Sequence, residues 1–272
     1  MTERPGDHYA AHDPVPAVEE QARDWPGPVP GDAFGQVLQR CWSGGGRAGR
    51  SYEVAERDDG MVSVSDASRY FGGPSTWVAT ERWAVEQAHG RVVDVGCGAG
   101  RHALALQERG HEVLGTDPSP GAVTVSCARG VDARHGTVLA PPSGVGLFDT
   151  LLLAGSNIGL LGSTRRAPAV LAALADLAVP GAQMLACGIE PYATDDEDHL
   201  AYHDRNRARG RMPGQVTLRV RDGRVATSFF DYLFVSADEL RDLVDGSPWR
   251  LASFDTDGPF CLARLVADGA AQ

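Results

Sequence analysis

Residues 91–101, RVVDVGCGAGR, constrain this chain more than any other stretch. Arg91–Val95 reads as a short apolar strand that runs directly into Gly96, Gly98 and Gly100, and a helical run opens at Arg101. At Gly96 a Cβ would obstruct a tight turn. Gly98 lets the backbone approach a ligand, and Gly100 lets the following helix pack on the strand. The turn ends at a helix N-terminus, whose free N–H groups favour an electronegative ligand. A strand, a glycine turn and a helix in this order belong to an α/β protein with a largely parallel sheet.

The chain downstream repeats the alternation. His111–Asp117 reads as a strand ending in Asp117, 21 residues after Gly96. A carboxylate there can accept both hydrogen bonds of a ribose diol. Asp117 can equally cap a helix with Pro118 in its first turn, and both roles can hold together. Helices are predicted over 101–109 and 119–129, each stopped by a glycine. A short strand follows near 130–134. Phe148–Ala154 is a buried strand that breaks at Gly155, Ser156 and Asn157. A helix over 165–179, a turn at Pro180 and Gly181, and a strand over 182–188 complete the pattern. Gly96, Asp117, Gly155 and Glu190 then fall at the carboxyl ends of strands, where such sheets bind ligands.

Two ligand classes compete for the glycine turn. A nicotinamide or flavin site wants G-x-G-x-x-G, but here the third glycine comes one residue early and Arg101 stands in its place. Asp94 also precedes the first glycine by two residues. The resulting D-x-G-x-G-x-G resembles motif I of the class I S-adenosylmethionine (SAM) dependent methyltransferases. Asp117 stands where that family carries its ribose-binding acid, and 147–161 resembles its motif IV. The resemblance covers about residues 76–267, and HLAYHDRNRARGRMPGQVTLRVR is similar to a subgroup of actinobacterial methyltransferases. It implies a Rossmann-like sheet, mostly parallel with one antiparallel edge strand, and SAM as cofactor with S-adenosylhomocysteine as product. The cofactor residues it implies are Asp94, Gly96, Cys97, Gly98, Gly100, Asp117, Gly155, Ser156 and Asn157. No N/D-P-P-Y/F follows the fourth strand, and no cysteine pair suits RNA C5 chemistry. A small-molecule acceptor remains, with natural-product biosynthesis as its expected setting.

Outside this alternation lie two further segments. Residues 1–31, rich in Pro, Gly and acid, read as irregular or disordered. Residues 32–75 form an expected helical cap, with weak helical spacing over 32–42, a flexible linker over 43–50 and a turn signal at 58–60. A helix over 76–89 with Ser75 as its cap is expected to open the SAM-binding domain, 76–272. An insertion over 190–232 follows the fifth strand. Its first part is a charged helix over 195–209 with a basic cluster, Arg205, Arg207, Arg209 and Arg211. That cluster suits either surface ion pairs or a lid that guides an anionic group. Tyr70, Phe71 and Trp77 are candidate acceptor-binding residues, since a segment before motif I often covers the pocket in this family, and Tyr192 in the insertion is a further candidate.

Composition narrows the chemistry. The net charge is −11, which argues against wholesale nucleic-acid binding. No apolar run is long enough to span a membrane. The five cysteines are odd in number and form no C-x-x-C, so reduced thiols in a cytoplasmic protein are expected. No H-x-H or H-E-x-x-H cluster suggests a metal. A sulfonium methyl is already activated, so the protein must align a nucleophile and exclude water. An acceptor that must lose a proton needs a base, for which Glu190, His199, His203 and Asp231 are candidates. His203 is the most apt by ordinary pKa, and Tyr202 is placed to orient an acceptor. The oligomeric state is not encoded in any of these features.

Overall fold

A computed structural model of the protein describes residues 29–268. The first 28 residues, and with them most of the 1–31 segment expected to be irregular, lie outside the described residues. A seven-stranded sheet has the order β11-β12-β7-β6-β3-β4-β5. Its parallel strands are β3 (Val92–Val95), β4 (Val113–Asp117), β5 (Asp132–His135), β6 (Phe148–Leu153) and β7 (Ala178–Ile189). Beyond β7, β12 (Phe260–Ala267) runs antiparallel to both β7 and β11 (Trp249–Asp257). This is the antiparallel hairpin expected at the sheet margin. Strand order reverses between β3 and β6, so the glycine turn sits at the switch point.

The two-residue repeat of a strand explains why both faces are apolar. Val93, Leu151, Leu153, Met184 and Ala263 point to one core with α5 (Ala167–Ala175), α7 (Ala237–Val244) and Trp249. Their neighbours Val92, Leu152, Leu185 and Leu262 point to the other core, against α2 (Ala79–Gln87) and α3 (Arg101–Glu108). A third cluster joins α1 (Ala33–Ser43) to α4 (Pro120–Ala128) through Val37, Leu38, Trp42, Ala122 and Val125.

The α1–α4 contact depends on two glycines. A Cβ on Gly121 would lie 2.6 Å from the Cα of Gly35, and one on Gly35 would lie 2.7 Å from the Cα of Gly121. Backbone cannot yield as a flexible side chain can. Asp32 caps α1 through the Gly35 N–H (3.0 Å) and also accepts from Gly121 N (2.8 Å) and Ser119 Oγ (2.7 Å). Gly121→Val is therefore expected to prise α1 off α4 and cost about 1–3 kcal/mol in urea unfolding. Unchanged stability would show that the two helices can separate without loss.

The cap differs from expectation. Only α1 is a full helix; residues 52–66 form a hairpin of β1 (Tyr52–Arg57) and β2 (Val62–Asp66). This hairpin pairs with the insertion. A second, antiparallel sheet has the order β10-β8-β1-β2, with β8 Gln215–Asp222, β10 Phe230–Leu233 and a short β9 (Val225–Ala226) beside β8. The scattered apolar residues of 52–65 alternate weakly because one face of the hairpin is left open: Tyr52, Val62 and Val64 are exposed. Of residues 43–50, expected as a linker, Ser43 ends α1 and the rest are turns tied down by Gly49 N donating to Asp66 (2.6 Å). The helix expected over 76–89 starts later, at Ala79, with Val78 as its cap residue. Trp77 is extended (φ −86°, ψ 155°) so that its indole N–H can reach the Gly72 carbonyl (2.8 Å) and its ring can bury. No helix among the described residues is long and apolar enough to cross a membrane.

Candidate active site

The glycine turn is held from below. Asp94, at the end of β3, is 1% exposed, and its Oδ2 has no partner among the described residues. Burial, with the Asp117 carboxylate nearby, pushes its pKa up to about 7 against the pull of Arg101 and the Ala103 N–H. Gly98 N donates to Asp117 Oδ2 (2.9 Å) and Ser119 N to Asp117 Oδ1 (2.8 Å). Those bonds lower the Asp117 pKa, but burial dominates and leaves it raised to about 6. Cys97 is a buried filler whose Sγ lies 3.7 Å from Ser126 Oγ, and burial pushes its thiol well up. A Cβ on Gly100 would meet Ser126 on α4 and Val131 before β5, so this glycine makes room for α4 and not, as expected, for the helix that follows it.

Asp94 and Asp117 give a pH signature. An acid whose folded pKa exceeds its unfolded value binds more protons when folded between the two values. Stability therefore falls as pH rises from about 4 to about 7. Asp94→Asn is expected to stabilise the ligand-free protein on the order of 1–4 kcal/mol at pH 8 and by little at pH 4. Urea unfolding at both pH values reads this; a destabilised variant at pH 8 would mean that a cation holds Asp94 ionised.

The end of β6 forms the opposite wall. Gly155 (φ 65°) and Ser156 (φ 72°) both have positive φ, and Ser156 is the one non-glycine residue so placed among the described residues. Such strain clusters at functional sites. Asn157 then starts a 3-10 turn (Asn157–Leu161), donating through Nδ2 to the Val95 and Gly96 carbonyls (both 2.9 Å). Its Oδ1 accepts from Tyr232 Oη at 2.9 Å. Tyr232 belongs to β10, so Asn157 ties the antiparallel sheet to the glycine turn. Gly159 leaves the space in which the Tyr232 ring lies.

A cleft of about 220 Å³ opens along the carboxyl ends of β6 and β7, between Gly155, Ser156, Cys187 and Gly188 on one side and Arg69, Thr80, Glu81 and Arg101 on the other. Arg101 pairs with Glu81 at 2.6 Å. Burial raises the Glu81 pKa, but His102 and Arg101 together hold it below the ordinary range. Burial pushes His102 down to about 4, so it is neutral near pH 7. Among the described residues Thr80 Oγ1 is buried without a hydrogen-bond partner, and His102 Nε2 lies 3.7 Å from Glu81 Oε2.

None of the expected acceptor-side residues lines this cleft; Tyr70 follows Arg69, which does. Its ring meets Phe34 edge-on at 5.2 Å, and the tip of Phe34 lies 3.9 Å from where a Gly98 Cβ would be. Phe71 instead stacks on Trp42 (6.0 Å, 7° between planes) inside the α1–α4 core. Trp77 packs on His102 at 4.6 Å, behind the cleft wall. Tyr192 turns away and donates to Glu239 on α7 (2.6 Å).

The expected proton-transfer residues also lie off the cleft. Glu190 follows β7 and accepts from Tyr192 N (3.3 Å), and burial raises its pKa. Tyr202 and His203 lie on α6 (Glu197–Ala208). Tyr202 Oη donates to Asp58 (2.8 Å) and accepts from Thr217 N (3.1 Å), between the Arg57 and Arg205 guanidinium groups. His203 packs against the Tyr192 ring at 6.1 Å, and burial lowers its pKa. Tyr202 and His203 thus fasten α6 to its neighbours. A charged helix with no apolar stripe gave no sign of which face packs. Asp231 is engaged by Arg211 and Thr217. Arg205, Arg207 and Arg209 pair with Asp58 or Asp59, Asp204 and Asp58, so the basic cluster is spent on ion pairs.

Sequence reasoning missed Asp32, Phe34, Glu53, Arg69, Glu81 and Tyr232. Only Tyr232 carried a readable signal: Phe230, Tyr232 and Phe234 alternate and so share one face of a strand.

Residues 92–181 match the model of a family described as a methyltransferase domain. The chain resembles a SAM-dependent methyltransferase from Bacteroides fragilis, solved in complex with S-adenosyl-L-homocysteine. The two share 25% identity and a TM-score of 0.74 over 89% of this chain and 97% of that one. The CcbJ methyltransferase from Streptomyces caelestis shares the fold (TM-score 0.53, 14% identity, 72% of this chain and 94% of that one). A curated relative, a 2-heptyl-1-hydroxyquinolin-4(1H)-one methyltransferase of Mycobacteroides abscessus, is 44% identical over 50 residues. That match spans 18% of this chain and only 21% of the relative's length. With a parallel sheet reversed at β3/β6, an inserted antiparallel β12 and the D-x-G-x-G-x-G turn at the switch point, the chain carries a methyltransferase domain with the fold of the class I SAM-dependent methyltransferases.

Proposed function

We propose that this protein transfers the methyl group of SAM to a small molecule held between the carboxyl edge of the parallel sheet and the antiparallel sheet above it. The observation that carries this is the Asn157 bridge: one side chain bonds the glycine turn and the roof residue Tyr232 together. Bound SAM supplies an electrophilic methyl on a cationic sulfur. Gly96, Gly98 and Gly100 give it a backbone cradle, Asp117 accepts from its ribose, and Asp94 sets a buried acid under its cationic end. Gly155, Ser156 and Asn157 face the methyl. The orphaned polar atoms of Asp94 and Thr80 suit a ligand rich in donors and acceptors.

The roof supports a small apolar acceptor. Tyr232 reaches down to Asn157, so its face of the antiparallel sheet looks onto the cleft. By register and two-residue alternation, Phe230, Val216, Leu218, Val220 and Ala55 share that face. Phe230 is 37% exposed, so the face is not closed off by the rest of the fold. A role in natural-product biosynthesis fits such a pocket and the short likeness to a quinolone methyltransferase. The net charge of −11 favours neither nucleic acid nor an anionic membrane surface as partner. The proposal includes no metal and a cytoplasmic site of action. Release of S-adenosylhomocysteine from SAM with a panel of hydroxylated and amino aromatic compounds tests it. Tight SAM binding with no transfer to any of them would leave a SAM-binding protein without this activity.

A further inference from the structure

Four polar side chains that the parallel sheet does not supply converge beneath the antiparallel sheet. They are Glu53 on β1, Tyr232 on β10, and Arg69 and Tyr70 on the 3-10 turn after β2 (Ala67–Tyr70). Glu53 lies two residues before Ala55 and so shares the cleft-facing side of β1. Tyr70 Oη donates to Glu53 Oε2 at 2.6 Å. The Arg69 guanidinium lies 5.1 Å from the Tyr70 ring centre and also lines the cleft. On the other side Phe34 connects Tyr70 to the Gly98 turn.

The other carboxylates near the cleft are committed. Glu81 is locked to Arg101, Asp117 takes two backbone N–H groups, and Asp94 lies buried under the turn. Glu53 is different in having a phenol as its hydrogen-bond partner.

We propose that Tyr70 and Glu53 are the proton-accepting pair for the acceptor, and that the acceptor is an apolar ring bearing a weakly acidic hydroxyl group. This rests on the methyl-transfer reading above. The acceptor hydroxyl gives its proton to Tyr70 Oη while Tyr70 passes its own to Glu53. A lone pair on the acceptor oxygen forms the new O–CH3 bond. The CH3–S bond breaks with its electrons on sulfur, so the sulfonium becomes a neutral thioether. Glu53, now neutral, returns the proton to water. Burial and the charge of Glu53 keep Tyr70 protonated near neutral pH, against the pull of Arg69 and Arg101, so it enters the step as a donor to Glu53. The apolar face around Leu218 and Phe230 covers the ring.

The full chain is assayed with SAM and three probes, phenol, 2-naphthol and 4-nitrophenol, by S-adenosylhomocysteine release. Calorimetry gives SAM affinity, and 2-naphthol fluorescence with S-adenosylhomocysteine present gives acceptor affinity. Glu53→Gln is expected to lower kcat for phenol about 100-fold or more, with SAM affinity and KM kept. The loss should be much smaller for 4-nitrophenol, which ionises unaided near neutral pH. Tyr70→Phe should show the same ordering and also weaken 2-naphthol binding. Equal losses across the probes, no loss in either variant, or SAM binding without turnover of any probe by the wild-type chain would overturn the proposal. The last of these leaves SAM binding intact and so separates it from failure of the site itself; a wild-type chain that binds no SAM overturns both.

Discussion

Replacing Gly98 by valine is expected to abolish SAM binding while the sheet still folds. Gly98 has φ +56°, a conformation that a β-branched residue adopts only under strain. Its added Cβ would point at Phe34, into the gap between the turn and α1 that the ligand needs. Left-handed strain costs roughly 1–2 kcal/mol of stability, which a domain of this size can absorb. The lost space is not recoverable, so affinity should fall by at least about 100-fold, more than about 2.7 kcal/mol. Circular dichroism establishes the fold and calorimetry the affinity. A folded variant that binds SAM normally would remove the glycine turn from the site.

Asp117→Ala should act on both binding and stability. The proposed ribose bonds alone would be worth about 1.5–3 kcal/mol, or roughly 10- to 100-fold in affinity. The same carboxylate also satisfies Gly98 N and Ser119 N, and leaving a buried donor unpaired costs about 1–3 kcal/mol. The variant should therefore unfold at lower urea concentration as well as bind SAM weakly. Asp117→Asn retains one carbonyl oxygen and should recover part of the stability but little of the affinity. Unchanged SAM affinity in a folded Asp117→Ala protein would assign Asp117 to structure alone.

The parallel sheet was legible because its signals are local. Strands such as Val92–Val95 and Phe148–Leu153 are continuous apolar runs, as a sheet buried on both faces requires. The glycine turn and Asp117 sit at fixed offsets from those strands, so motif and geometry agree. Helix ends were less legible. Trp77 fits a helical pattern, yet its indole N–H and ring find better partners when the chain is extended.

The roof was not legible, because its contacts join residues far apart in sequence. The β1–β8 pairing links Val54 to Arg221, and nothing in either segment names the other. Glu53, Tyr70 and Tyr232 meet only once that pairing forms. Conversely, His203 and Tyr202 had apt chemistry but lie on a helix whose buried face serves to hold Asp58 and Thr217. Residue type suggested a role there, and packing assigned another.

Asp32 bonds Ser119 and Gly121, and the tip of Phe34 lies 3.9 Å from where a Gly98 Cβ would be, so the α1 segment borders the proposed cofactor site. The decisive measurement is calorimetric titration of the full chain with SAM, S-adenosylhomocysteine and NADH in parallel. SAM and S-adenosylhomocysteine should each bind at one site, NADH should give no heat, and Gly98→Val should remove both signals. A well-folded chain that binds NADH, or that ignores SAM, would contradict the assignment of the glycine turn to SAM.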